Sequence, residues 1–203
     1  MEGLSLIKLD SGICKGLKLQ TAEGFTRPTL AKIRGSILNS LQSRLADGAR
    51  ILDLFAGSGA MGIDAVSRGA SAATFVESER RVFKILEENV ELCRQRCVSG
   101  AQDSVLHALK GNVLSLESIL ASRSEFDIIF CDPPYAETKL ILPQLVKQIS
   151  KFCSAEAIWV LEFQKKSLTA DDLVVVKDSG WQIDKEKNFG DTTIQFFEFK
   201  GKN

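Results

Sequence analysis

Five short apolar runs, separated by stretches with helical periodicity, constrain this chain more than any other feature. Strands are expected at 50–55, 72–77, 104–109, 126–131 and 156–162, and helices at 60–68, 79–97, 113–122 and 137–152. Strand and helix alternating in this way require right-handed crossovers, a parallel sheet and helices on both of its faces. The tail departs from the alternation. Residues 173–177, 182–188 and 193–200 show no helical stretch between them and are expected to finish the sheet as antiparallel strands. Ahead of the alternation, Leu4 to Leu9 and Leu17 to Gln20 read as a short hairpin. Thr29 to Leu45 then reads as an amphipathic helix, with Leu30, Ile33, Ile37, Leu38, Leu41 and Leu45 in one apolar stripe. No repeat, low-complexity segment or long linker divides the 203 residues, so one domain is expected over 1–203, with 1–28 as an N-terminal hairpin extension.

Open sheets of this kind bind ligands beyond the carboxyl ends of their strands. Polar residues stand at four such ends: Asp53, Glu77, Asn112 and Asp132. The last opens Asp132-Pro133-Pro134-Tyr135. Two prolines lack the N–H groups that a sheet ladder needs, so they end the strand and stiffen a turn. The Pro133 carbonyl can then stand beside the Asp132 carboxylate, with the Tyr135 ring alongside. Two acceptors and a flat face suit a planar ring bearing an exocyclic amine. The lone pair of such an amine is delocalised and weakly nucleophilic. Acceptors on its hydrogens accommodate the positive charge that develops on alkylation. The bland alternative is a turn that only ends a strand.

Ala56-Gly57-Ser58-Gly59-Ala60-Met61-Gly62, directly after the strand that ends at Phe55, reads as a tight turn opening a helix. Its N–H groups can face an anionic or carboxylate end. Gly57, Gly59 and Gly62 satisfy G-x-G-x-x-G, which by itself also fits a nicotinamide dinucleotide. Asp53 speaks against that ligand, because a carboxylate repels a pyrophosphate yet can receive an ammonium. S-adenosylmethionine (SAM), with its zwitterionic amino acid end, suits Asp53 and the amine site together. Glu77 can accept both hydroxyls of a ribose; its other reading is an acid at a helix start. Asn112 can bond an adenine or begin the next helix, with Val113 after it.

These motifs together resemble a class I SAM-dependent methyltransferase, and more narrowly the bacterial small-subunit (16S) rRNA guanine-N2-methyltransferase family. The matching segments are Arg27-Pro28-Thr29 with Ile33-Arg34 and Asn39, Leu52 through Gly62, Phe75-Val76-Glu77, Asp132 through Tyr135, and Lys187 through Thr192. The resemblance implies a Rossmann-like α/β fold: a mainly parallel seven-stranded sheet with an antiparallel C-terminal strand. It implies SAM as cofactor and transfer of its methyl to the N2 amine of a guanine. Asp132, Pro133, Pro134 and Tyr135 would be catalytic. Asp53, Phe55, Gly57, Ser58, Gly59, Glu77, Asn112, Val113 and Asp132 would hold the cofactor. Arg27, Thr29 and Arg34 would meet RNA. The implied partner is small-subunit rRNA or the small-subunit particle, and a monomer is the expected state. One departure is Gly35, where the family has an acid after the arginine.

Composition excludes other classes. His107 is the single histidine, and Cys93 with Cys97, one helical turn apart, has no complementary ligand pair, so neither a metal site nor a His-dependent hydrolase is expected. The five cysteines are scattered and odd in number, which suits reduced thiols and a cytoplasmic protein. Neither a secretory leader nor a membrane span is evident. The 26 basic and 26 acidic residues balance, yet the first fifty residues carry a positive excess of four, a candidate RNA-facing segment. Three competing readings remain: an adenine-N6 or cytosine-N4 DNA methyltransferase, a dinucleotide-dependent oxidoreductase, and a non-catalytic RNA-binding assembly factor.

Overall fold

A computed structural model describes residues 4–22, 28–97, 105–120 and 125–201. Strands β1 (Leu4–Lys8) and β2 (Lys18–Ala22) pair antiparallel as the expected hairpin. Helices α1 (Pro28–Ser40) and α2 (Gln42–Ala46) follow where one continuous helix is expected from the sequence. The break has a local cause. The Ser40 hydroxyl donates to the Ser36 carbonyl, 2.9 Å, a back-bond that bends helices, and Lys187 Nζ also reaches that carbonyl at 3.1 Å.

The main sheet contains β3 (Arg50–Leu54), β4 (Ala72–Glu77), β5 (Val105–Lys110), β6 (Phe126–Cys131), β7 (Cys153–Gln164), β8 (Trp181–Phe189) and β9 (Thr192–Phe199). Their spatial order is β5-β4-β3-β6-β7-β9-β8. The first five are mutually parallel, and β9 runs antiparallel to both of its neighbours, β7 and β8. The crossovers carry α3 (Ala60–Ser67), α4 (Arg80–Cys97), α5 (Leu116–Leu120) and α6 (Thr138–Ile149). Strand order reverses between β3 and β6, the place where such sheets open a cleft.

The tail corrects one expectation. Residues 173–177 are not a strand, because α7 (Val174–Asp178) occupies that position and packs on α6. A run of valines favours a strand by propensity, but the preceding turn overrides it. Asp172 Oδ2 accepts from the Thr169 N–H and hydroxyl, both 2.8 Å, and Lys139 pairs with Asp172 at 3.0 Å. Strand β7 also starts earlier than expected. Its first residue pairs with Phe126, after which the register slips, and Glu156 takes a φ of 64°.

Alternation along the strands feeds two cores. Ile51, Ile128 and Phe130 face the layer of α1, α3, α4 and the hairpin; Leu52, Ile129 and Cys131 face α5, α6 and α7. In the second core Trp159 stacks on Phe197, centroids 4.9 Å apart, and meets Trp181 edge-on at 5.8 Å. In the first, the turn after β1 packs against α4, with Cys14 Sγ 4.0 Å from Cys93 Sγ. Cys14 is disulfide-bonded, though not to Cys93, so the thiols are not all reduced as the sequence suggests. No helix among the described residues is long and apolar enough to cross a membrane.

Helix α1 is fixed to this frame by buried charge. Arg34 Nε donates to Asp64 Oδ2 on α3, 2.9 Å, and Arg34 Nη2 to the Lys8 carbonyl, 3.2 Å. Arg68 binds the other oxygen of Asp64, at 3.0 Å, and reaches Asn39 Oδ1 on α1, at 2.7 Å.

Candidate active site

The turn after β3 is built for close approach. Phe55 adopts a φ of 56°, uncommon for a side-chain-bearing residue and a form of strain that concentrates at functional sites. Gly59, at φ 77°, caps α3, and a Cβ there would sit 2.6 Å from Leu86. At Gly62 a Cβ would lie 2.5 Å from the Phe75 ring. Its absence lets α3 settle onto β4, so that the Gly62 N–H donates to Asp53 Oδ2 at 2.9 Å. Asp53 is only 4% exposed. Burial, opposed by that N–H and reinforced by Glu77, pushes its carboxyl up to about 7.

Glu77 braces the same turn from β4. One carboxylate oxygen accepts from the Gly57 N–H at 3.0 Å, the other from the Ser78 and Glu79 N–H groups at 2.8 and 2.9 Å. The helix-starting role belongs chiefly to the neighbouring Glu79, which accepts from the Arg81 and Val82 N–H groups at 2.9 and 2.7 Å. Sequence reasoning missed Asn89. It is 1% exposed on α4, accepts from the Gln20 N–H and donates to the carbonyls of Gln20 and Ser58, each 2.8 Å. A buried asparagine thus ties the N-terminal hairpin to the glycine turn.

The segment after β6 supplies the other half. Pro133 is buried. The Pro134 carbonyl is taken by the Glu137 N–H at 2.9 Å and the Thr138 hydroxyl at 3.3 Å. No donor among the described residues takes the Pro133 carbonyl. Tyr135 donates its hydroxyl to Glu162 Oε1, 3.1 Å, and shares a hydrogen bond with Thr192 Oγ1, 3.0 Å. Loss of hydration, with Glu162 and Asp132 nearby, raises the phenol to about 12, so it remains a donor. Asp132 is accessible to solvent, yet its carboxyl is held above the ordinary range. Partial dehydration within the cavity walls is the first cause; the negative charges of Glu162 and Asp53 follow. Glu162, 9% exposed on β7, is raised by its own burial. It too escaped sequence reasoning, although it is an acid near the carboxyl end of an apolar strand, as Asp53 and Glu77 are.

One cavity of ≈ 750 Å³ spans both halves. Asp53, Glu77, Asp132 and Glu162 line it, with Phe55 and Tyr135. Ile7, Leu30, Ile33 and Arg34 from the hairpin and α1 wall its outer side. Gly57 and Ser58 also line it, whereas Gly59, Asn112 and Val113 do not. Asn112 begins the 3-10 turn after β5, its side chain accepting from the Leu114 N–H at 2.9 Å, and Val113 is buried in the second core. Arg34 points its polar atoms at Asp64 and Lys8. Arg27 and the side chain of Thr29 lie outside the described residues. With Glu79 and Glu137, six carboxylates line this volume and make it a receptor for cationic and N–H-donating groups. The volume falls within the range of small-molecule sites.

Comparison with known proteins agrees with this geometry. The family described as conserved hypothetical protein 95 matches residues 7–198. The chain is 30% identical to the ribosomal RNA small subunit methyltransferase D of Buchnera aphidicola (subsp. Acyrthosiphon pisum), over 90% of this chain and 88% of that one. It is 26% identical to the protein of that name from Escherichia coli K12, over 97% and 91%. Among solved structures, yhhF from Escherichia coli superposes with a TM-score of 0.74 at 25% identity, covering 98% of this chain and all of that one.

Proposed function

This chain belongs to the conserved hypothetical protein 95 family, which its match over residues 7–198 and its likeness to small-subunit rRNA methyltransferase D proteins establish, and we propose that it methylates rRNA from SAM at the N2 amine of a guanine in the small subunit. The observation that carries the reading is the placement of Asp132 through Tyr135 at the switch point, in one cavity with Asp53 and Glu77. The relatives' names support rRNA as the substrate class. Hairpin, α1 and sheet wall one cavity, which supports reading the chain as one domain. The reading puts the protein in the cytoplasm with its RNA.

SAM, when bound, supplies an electrophilic methyl group. Asp53 receives its ammonium, and Glu77 faces its ribose while bracing the turn. Asp132 and the Pro133 carbonyl accept the two N–H bonds of the target amine, which makes its nitrogen more tetrahedral and more nucleophilic. The Tyr135 ring stacks on the base, its orientation set by the hydrogen bonds to Glu162 and Thr192. Much of the acceleration is orientation. A paired base must leave its stack to enter, at a cost of about a few kcal/mol. The proton of the methylated ammonium is acidic and leaves after attack, with Asp132 the nearest acceptor.

Methyl-labelled SAM, incubated with naked small-subunit rRNA, assembled small subunits and duplex DNA, tests the reading after digestion to nucleosides. N2-methylguanosine from either RNA sample is the expected product. Labelled methyladenine or methylcytosine would overturn the guanine assignment, and binding without label in any sample would favour an assembly factor.

A further inference from the structure

We infer that Glu162 is a specificity-determining residue that selects guanine by accepting its N1–H. The inference rests on the proposed guanine-N2 reading of the same site. Leu161 of β7 pairs with Cys131 of β6, so the next residues, Glu162 still within β7 and Asp132 just past the end of β6, stand at the same level on adjacent strands. Adjacent strands lie about 4.8 Å apart. The two carboxylates therefore form a pair of acceptors along one edge of the cavity. Guanine presents donors along one edge too: the N2 amine and, next to it, N1–H. Adenine and cytosine carry a lone pair at the corresponding ring nitrogen. With Asp132 on the amine, the neighbouring acceptor meets a donor only when the base is guanine.

The surroundings of Glu162 leave that role open. It is 9% exposed, and its Oε1 accepts from the Tyr135 hydroxyl at 3.1 Å. Among the described residues no donor takes Oε2 and no cation pairs with the carboxylate. A buried acid without a cation is costly unless a ligand supplies donors. Holding Tyr135 requires one acceptor oxygen, which a glutamine supplies equally well. A carboxylate at this position is explained by a second donor arriving with the base.

Glu162→Gln separates the two roles. It keeps volume and the acceptor for Tyr135, but turns an amine toward N1. The substrate is synthetic small-subunit rRNA carrying guanine or 2-aminopurine at the mapped methylation position, assembled into subunits if the naked RNA is inactive. 2-Aminopurine keeps the 2-amine and has a lone pair at N1. Wild type should favour guanine by about 100-fold or more in kcat/KM, since a site built to bond a donor rejects the analogue lacking it. Glu162→Gln should lose at least about tenfold on guanine and shrink the guanine to 2-aminopurine ratio by at least about tenfold, with SAM affinity unchanged by calorimetry. If the amide variant does not fold, Glu162→Ala takes its place with the same contraction expected. Equal use of both bases by wild type, or a ratio that the variants leave unchanged, overturns the assignment while N2-methylguanosine formation upholds the proposed function. A different labelled nucleoside from wild type overturns both.

Discussion

Tyr135 holds hydrogen bonds to Glu162 at 3.1 Å and to Thr192 at 3.0 Å, so its hydroxyl is part of the site as well as its ring. From sequence alone the ring is the only evident contribution. Tyr135→Phe should therefore cost about five- to tenfold in kcat/KM, about the worth of one ordinary hydrogen bond. Tyr135→Ala should lose at least about a further tenfold, because stacking on a base contributes about 1–3 kcal/mol. Steady-state kinetics on the methylated RNA decide; equal losses would remove stacking from the mechanism. Asp132→Ala isolates the other contributor. It should keep SAM binding within about threefold and lose at least about 100-fold in transfer, the scale seen when a group aimed at developing charge is deleted. Calorimetry with SAM alone and a transfer assay read the two halves, and wild-type turnover would remove Asp132 from catalysis.

At the level of elements, α1 depends on a residue distant in sequence. Gly35 follows Arg34, and the partner that orients Arg34 is Asp64 on α3, 2% exposed. Removing one member of a buried ion pair strands the other, so Asp64→Ala, which strands both Arg34 and Arg68, should destabilise by about 3–5 kcal/mol in urea melts. A loss under 1 kcal/mol would show the pair to be dispensable. Gly35→Ala should do the reverse. A Cβ there meets nothing within 4 Å, and glycine in a helix interior is worse than alanine by about 0.5–1 kcal/mol. A higher urea midpoint with unchanged slope is expected. Elements also show what sequence could and could not disclose. The alternating strands of the parallel half were legible because period and punctuation agree locally. Helix α7 was not, because three valines signal a strand while Thr169, Asp172 and Lys139 decide otherwise. Asp53, Glu77 and Asp132 were legible as acids at strand ends next to turns with distinctive glycines or prolines. Glu162 and Asn89 had no such neighbours. Their roles depend on β7 lying beside β6 and on the hairpin lying over α4, which are facts of tertiary placement.

For the whole molecule, the carboxylates of the cavity couple folding, ligand and pH. Asp53 is pushed up to about 7, and Asp132 and Glu162 are raised as well. An acid whose value is higher in the folded chain favours folding while it stays protonated. Its contribution is complete below the ordinary carboxylate range near pH 4 and is lost as pH rises through the folded value. For Asp53 the change amounts to about 4 kcal/mol at most, at about 1.36 kcal/mol per unit. The ligand-free protein should therefore melt at a lower temperature at pH 8 than at pH 5.5. A cationic ligand reverses this penalty, because its ammonium compensates the ionised Asp53. The rise in melting temperature given by saturating SAM should be larger at pH 8, and SAM affinity should fall as pH drops below 7 and Asp53 takes up a proton. Asp53→Asn keeps an acceptor for the Gly62 N–H but cannot ionise. It should flatten the pH dependence of the ligand-free melt, raise its melting temperature at pH 8 and weaken SAM binding at least about tenfold, since a buried charged partner is lost. Scanning fluorimetry across pH, with and without SAM, reads all of these on one instrument. A SAM-induced shift that is the same at pH 5.5 and 8 in wild type would mean that Asp53 does not meet the ammonium, and would move the amino acid end of the ligand elsewhere in the cavity.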